Sequence, residues 1–325
     1  MKRFFAFLCL VASAALAAAD GQPLATAAAP GDLTIEFLDI GQGDSVLIRT
    51  PDGKVALVDT GTPKKGAYPY LEARDIKTVD LLVTSHHHSD HMGGTVEVLE
   101  ECSVKAYLDS GSSYTSKSYK NVLQAVKAST KTKTLYPRPN TERKINLGES
   151  VVIRVFPQPP EDEDNENNNS VGLRIQYKDF ALVLTGDSED DERAWWMKNA
   201  NKTLYSKATI LKLAHHGSHN GSDAEWLKAV APELAVVSCA AGNSYGHPHK
   251  KTLDLLADKK IELKRTDMGG TIKIKTNGQT WEVSQVASAP GLFRGEPVAR
   301  AGGWYTTPAR PARAPEPRAR FDLRP

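Results

Sequence analysis

Residues 84–94 read TSHHHSDHMGG, and four of the chain's nine histidines fall between His86 and His91. The stretch closes an apolar run, VDLLVTS (79–85), and two glycines, Gly93 and Gly94, follow it. A strand end that turns sharply aims imidazoles and a carboxylate at one point. His86, His88, Asp90 and His91 therefore form an H-x-H-x-D-H set suited to zinc, iron or manganese. A surface histidine cluster would need neither the strand before it nor the glycine pair after it.

Two further strand ends carry residues of the same kind. Asp187 follows FALVLTG (180–186), beside Gly186, where a backbone can pass close to an ion; alone, such an Asp reads equally well as a helix N-cap. His215 and His216 close TILKLA (209–214), with Gly217 and Ser218 next. Three such ends can meet at one sheet edge, and two metals roughly 3.5–4 Å apart could share the Asp187 carboxylate, which is a hydrolytic device.

The remaining sequence supplies a scaffold for these ends. Apolar runs at LTIEFLDI, DSVLIRT, KVALVDTG, VVIRVF, VGLRIQY, LAVVSCA, TIKIKT and TWEVSQV predict strands. Thr95 to Glu101, KSYKNVLQAVKAS, SEDDERAWWMKNA, DAEWLKAV and KTLDLLADKK predict helices; in the second, Tyr119, Val122, Leu123 and Val126 share one side. The order predicts a layered α/β fold with mixed sheets rather than a doubly wound nucleotide fold. The acidic, Asn-rich stretch 161–169 reads, for most of its length, as a solvated loop.

At the N-terminus Lys2 and Arg3 precede an apolar run to about Leu16 and a small-residue end offering Ala17-x-Ala19. Residues 1–19 read as a secretory signal cleaved before Asp20, so the protein is expected to be exported, periplasmic or extracellular. Residues 20–32 read as a linker, 33–286 as the folded domain, and 287–325, rich in Pro, Ala and Arg, as a disordered tail. Cleavage would leave only Cys102 and Cys239, which excludes a disulfide-built miniprotein. The whole chain is +2; residues 284–325 carry +4 and Lys2 with Arg3 carry +2, so the body 20–283 is −4. An acidic body argues against a broad electrostatic grip on nucleic acid. No long apolar segment follows the signal, and no integral membrane domain is expected.

In order along residues 33–283, FLDIGQGDSVLI, ALVDTG, TSHHHSDHMGG, NNNSVGLRI, LVLTGDSE, LKLAHHGS and GNSYGHPH resemble the metallo-β-lactamase superfamily, and within it the β-lactamase-like domain of ComEC/Rec2 competence proteins. The resemblance implies a four-layer αββα sandwich with metals at the sheet edges. It implies two divalent ions, zinc or manganese: His86 and His88 on one, Asp90 and His91 on the other, Asp187 bridging, and His87 and Ser89 as spacers pointing away. Asp59 would brace the metal loop from behind. One of His215 and His216 would complete the second metal; the superfamily's His-before-Gly habit favours His216 and leaves His215 to touch substrate.

Where most dinuclear members place a further His, this chain reads Asn167-Asn168-Asn169-Ser170, a pattern typical of the competence branch. Asn169 and Ser170 are thus expected as weak ligands or supports, and an amide oxygen there would tilt the site toward manganese or magnesium. His247 stands where the family pattern also has His, and would donate a proton to a leaving group or hold a phosphate oxygen. Gln42, Asp44 and Ser45 are expected near the metal edge without a chemical step.

The implied activity is metal-dependent hydrolysis of phosphodiesters, in DNA or another polymer, with Asp90 or Asp187 orienting hydroxide and His215 and His247 at the substrate. The same hydroxide could instead attack an ester, lactone or β-lactam, and a non-catalytic metal-binding module is the reading from another class. The channel of full competence proteins is not expected here, so DNA uptake by this chain is not implied.

Overall fold

The computed structural model describes residues 31–287 except 64, 133, 137 and 138. The expected signal peptide, nearly all of the linker and the Arg-rich tail lie outside the described residues. Regular structure runs from Leu33 to Val286.

Two sheets form the middle of the molecule. The first has eight strands in the order Thr134–Tyr136, Ala106–Asp109, Leu81–Thr84, Val55–Val58, Val46–Arg49, Leu33–Phe37, Thr271–Thr276, Trp281–Val286. The second has seven: Arg143–Leu147, Val151–Val155, Leu173–Tyr177, Phe180–Leu184, Ile210–Lys212, Leu234–Val237, Glu262–Arg265. Both change direction in the same way. Antiparallel pairing gives way to parallel at Val55–Val58 in the first sheet and at Phe180–Leu184 in the second.

The central strands are apolar at successive positions because both of their faces are covered. Ala56 and Val58 point into the layer between the sheets, Val55 and Leu57 outward under helices; Leu182 and Leu184 point inward and Val183 outward. One apolar cluster therefore fills the space between the sheets. A second lies under helices Thr95–Glu101 and Lys117–Ala128, and a third under Asp190–Asn199, Ala224–Val230 and Lys250–Asp258. This is the expected helix–sheet–sheet–helix stack of four layers. Each fully buried Leu or Val contributes roughly 1.5–3 kcal/mol, so the middle layer carries much of the stability.

Two expectations change. Helix Lys117–Ala128, capped by Ser116 Oγ accepting from the Tyr119 amide, buries Tyr119, Val122 and Val126, but Leu123 is exposed because the core-facing stripe is narrower than predicted. The Asn-rich stretch is a solvated loop only over 161–165: Glu166–Asn169 forms one 3-10 turn with Asn167, Asn168 and Asn169 buried. Its polar groups bond one another and the metal loop instead of water, as buried polar groups must.

Candidate metal centre

The first wall of the site is the end of strand Leu81–Thr84. Asp59, at the end of the neighbouring strand, takes φ +61°, a conformation that Asp tolerates better than most residues. This turns its carboxylate back across the strand end, where Oδ1 accepts from the Ser85 amide at 2.7 Å and Oδ2 from Ser85 Oγ at 2.8 Å. Asp59 Oδ2 also lies 2.9 Å from His91 Nδ1. The ring of His91 is thereby held with Nε2 pointing forward. A single helical turn, Ser89–Met92, carries Asp90 and His91, and the Gly43 backbone packs so closely on it that a Cβ there would lie 2.4 Å from the Asp90 carbonyl.

The second wall is built from the other sheet. Asp187 follows Gly186 (φ +52°), and its amide donates to Ser170 Oγ at 3.1 Å. The N-cap of helix Asp190–Asn199 is Glu189, which leaves Asp187 free of that role. His216 Nδ1 donates to the Ser238 carbonyl at 3.0 Å, fixing the tautomer that leaves Nε2 as the forward nitrogen.

The walls meet at one point. The ligand atoms of Asp90, His91, Asp187 and His216 all lie within 4.8 Å of one another. His216 Nε2 is 3.1 Å from Asp90 Oδ2 and 3.4 Å from Asp187 Oδ2, and His91 Nε2 is 3.2 Å from Asp187 Oδ1. That last pair is too poorly aligned for a hydrogen bond, so two buried ligand atoms, His91 Nε2 and Asp187 Oδ1, have no hydrogen-bond partner. Imidazole nitrogens and carboxylate oxygens converging with only His216 and Asp90 hydrogen-bonded to each other are a donor set that fits a divalent cation. His86 adjoins the group, its ring centroid 4.2 Å from that of His91, and its Nε2 is 3.1 Å from His88 Nδ1.

The charges agree with that fit. Burial disfavours an imidazolium at His91 and at His216, yet the surrounding carboxylates, Asp187 foremost, outweigh it; His91 is held well above its ordinary pKa and His216 near 10. Protons thus balance the carboxylates where a metal's charge would otherwise do so, and metal binding must displace them. Burial and the charge of His91 push His86 well below its ordinary value, leaving it a neutral imidazole suited to ligation.

The remaining expected residues fall in distinct places. Of the adjacent pair, His216 joins the cluster, whereas His215 lines the cleft with Nδ1 3.2 Å from Glu189 Oε1. The amide of Asn169 is hydrogen-bonded within its own loop, to Asp162 and Glu166; Asn167, not Asn169, reaches the cleft. Asn169 is therefore no ligand, and its amide oxygen does not tilt the site toward a harder metal. Ser170 supports Asp187 as described, and His247 lines the cleft, 8% exposed, with Nδ1 unpartnered. Burial and the imidazoles of His216, His215 and His249 push His247 down to about 4.

His87 lies outside the cluster but is no bare spacer. It is fully buried, stacked on Tyr119 with centroids 3.6 Å apart, with Asp109 and Glu166 each 3.0 Å from a ring nitrogen. The two carboxylates outweigh its burial and lift it to about 9. Ser45 donates to the Asp59 carbonyl, and Gln42 accepts from the Ala240 amide across the two halves. Sequence reasoning missed Lys212, whose buried ammonium pairs with Asp44 behind His91 and His216. The available signal was a lysine inside the apolar strand TILKLA, a position only a paired charge tolerates.

Asp90, Asp187, His215, His216 and His247 line a cleft of about 470 Å³ that also exposes Tyr114, Ser116 and Tyr245. The family profile described as Metallo-beta-lactamase superfamily matches residues 38–241. The chain is 30% identical to ComE operon protein 3 of Bacillus subtilis over 267 residues, 74% of this chain and 33% of that protein. It is also 30% identical to Competence protein ComA of Neisseria gonorrhoeae over 246 residues, 74% of this chain and 32% of the relative. It therefore spans about a third of the length of these relatives. Among solved structures it is similar in fold to Igni18, a metallo hydrolase from Ignicoccus hospitalis, with TM-score 0.50, 17% identity and coverage of 74% of this chain and 98% of that one. The chain belongs to the metallo-beta-lactamase superfamily.

Proposed function

We propose that this chain, a metal-dependent hydrolase of the metallo-β-lactamase fold, cleaves phosphodiester bonds as an exported nuclease or phosphodiesterase. The observation that carries the reading is the convergence of Asp90, His91, Asp187 and His216 at the floor of a cleft whose wall holds the unpartnered nitrogen of His247. The competence names of its relatives and the NNNS block favour phosphodiesters over carboxylic esters, lactones and β-lactams. No helix among the described residues is long and apolar enough to cross a membrane. Export rests on the N-terminal segment alone.

Two ions, zinc or manganese, would be held by His86, His88 and Asp187 on one side and by Asp90, His91, His216 and Asp187 on the other. When bound, such ions lower the pKa of water toward neutrality and neutralise charge on phosphoryl oxygens. The chain's own groups do the rest. Asp59 and the Ser238 carbonyl lock the rings of His91 and His216, so the ligands need no reorganisation. His247, pushed down to about 4 and so neutral at pH 7, presents an imidazole N–H that can hydrogen-bond a phosphate oxygen, a holding role rather than that of proton source. Glu189 holds His215 beside His247, the two ring centroids 5.5 Å apart.

The test is a metal-by-substrate matrix. Bis(p-nitrophenyl) phosphate, single-stranded DNA and a cephalosporin are each offered to wild type and to Asp187→Ala with zinc, with manganese and with chelator. Phosphodiester turnover lost on chelation and in Asp187→Ala is expected. Equal rates for the two proteins would remove the site, and cephalosporin turnover without phosphodiester turnover would remove the substrate class.

A further inference from the structure

The cleft bears two aromatic side chains: Tyr245, which neither the metal site nor the core uses, and Tyr114, half-buried and packed against the core under helix Lys117–Ala128. Tyr245 is 65% exposed although it stands on a firmly built loop. Asn243 organises that loop: its Oδ1 accepts from the amides of Tyr245 and His247, and its Nδ2 donates to the carbonyls of Ala240 and His247. The Tyr245 carbonyl is held by His249 Nε2 at 3.1 Å. The ring of Tyr245 lies 5.6 Å from that of His247 and within 20° of parallel, so the exposed tyrosine is backed by the imidazole whose Nδ1 has no partner. On the metal-loop wall, Tyr114 stands edge-on to His88 at 5.8 Å and tilted to His87 at 6.0 Å. Both tyrosines line the same cleft as Asp90, Asp187 and His216.

A lone exposed aromatic needs no explanation. A ring fixed in place by its loop's hydrogen bonds, backed by a second ring and facing a metal-ligand floor is a preorganised surface, and ordering it on binding costs little. Flat π-faces recognise flat π-faces: bases freed from a stack bind aromatic side chains whatever their sequence. We propose that Tyr245, with Tyr114 on the facing wall, stacks an unpaired nucleobase beside the scissile phosphodiester, so that the substrate is single-stranded nucleic acid.

This inference rests on the phosphodiesterase reading and narrows it. Glycerol- or sugar-phosphate polymers offer no ring to stack, and in a duplex the base faces are already covered by their neighbours. The −4 charge of the body points the same way, because a protein without a broad basic surface needs another source of affinity beside the phosphate contacts.

The test compares binding of the metal-loaded full chain to a short, hydrolysis-resistant phosphorothioate oligonucleotide with binding to the same backbone made abasic, both by fluorescence anisotropy. Wild type is expected to prefer the base-bearing strand by about tenfold or more, and a blunt duplex should bind no better than the abasic strand. Tyr245→Ala should erase most of the preference, Tyr245→Phe should keep it, and Tyr114→Ala should reduce it. Equal binding of the two strands by wild type, or an undiminished preference in Tyr245→Ala with unchanged circular dichroism, overturns the proposal. The parent reading fails separately: base-dependent binding without turnover of any phosphodiester would remove phosphodiesterase activity, while turnover without base preference removes only the clamp.

Discussion

Lys212 and Asp44 form an ion pair with each residue only 2% exposed, directly behind two of the metal ligands. Lys212 Nζ also donates to the Leu213 carbonyl at 3.1 Å, and Asp44 lies 3.5 Å from His216 Nδ1 and 3.8 Å from His91 Nδ1. Burial alone would neutralise both groups, but each outweighs it for the other, so the carboxyl is held low and the amine high. Lys212→Met leaves a buried carboxylate without its partner and should cost about 3–5 kcal/mol. Adding Asp44→Asn should return part of that loss. Urea unfolding of the single and double variants in chelator checks both; a single variant within experimental error of wild type would refute the pairing.

Asp59→Asn keeps the volume and the acceptor for the Ser85 amide but loses the second carboxylate oxygen that faces Ser85 Oγ and His91 Nδ1. Zinc affinity should fall by about 10–100-fold while the fold persists. Equilibrium dialysis with circular dichroism on the same samples separates the two effects.

Gly186→Ala would place a methyl group 2.8 Å from Ser170 Oγ and 2.9 Å from Ser85 Cβ, at a φ of +52°. The strain should destabilise the protein by about 1–3 kcal/mol. Because Asp187 follows directly, metal per chain should drop even below the unfolding transition. Full metal loading of this variant would show that Asp187 tolerates the displacement.

Glu36 bridges Arg49, at 2.9 Å, and Arg74, whose Nε is 3.1 Å away. Burial favours its neutral form, but Arg74 and then Arg49 outweigh burial and hold its pKa below the ordinary value. A depressed folded-state value means that the contribution is complete above the unfolded pKa, about 4.3, and is lost as pH falls through the folded one. Wild type should therefore lose stability below about pH 4.3 more steeply than Glu36→Gln. At pH 7 the variant should be less stable by about 1–3 kcal/mol. Parallel acid-unfolding slopes for the two proteins would contradict this.

The site was legible where chemistry is local in sequence. The H-x-H-x-D-H run, Asp187 and the adjacent pair His215 and His216 each stand at the end of an apolar strand, and periodicity finds such strands because both faces are buried. Both edge strands of the second sheet were missed: Arg143–Leu147 and Glu262–Arg265 alternate or expose polar residues and carry no continuous apolar run. Leu123 was misplaced because a helical stripe fixes a face but not its width. Which of two neighbouring histidines faces the cluster depends on the bend at the strand end, where both take φ near +50°, and no spacing rule encodes that. The contacts of Glu166 with His87, 79 positions apart, and of Lys212 with Asp44 exist only after the chain has folded.

The reversal from antiparallel to parallel pairing that both sheets share divides the metal ligands between the two halves of the chain. Asp59 and Asp187 each follow the strand at which their own sheet reverses, and His216 meets Asp90 across 126 residues of chain. Neither half owns a complete coordination sphere. With only the first sheet formed, His86, His88, Asp90 and His91 would lack Asp187 and His216, so full metal affinity should appear only once the two sheets have docked. An ion held by Asp90, His91, Asp187 and His216 would tie the halves together, and its affinity would add to the stability of the native state alone.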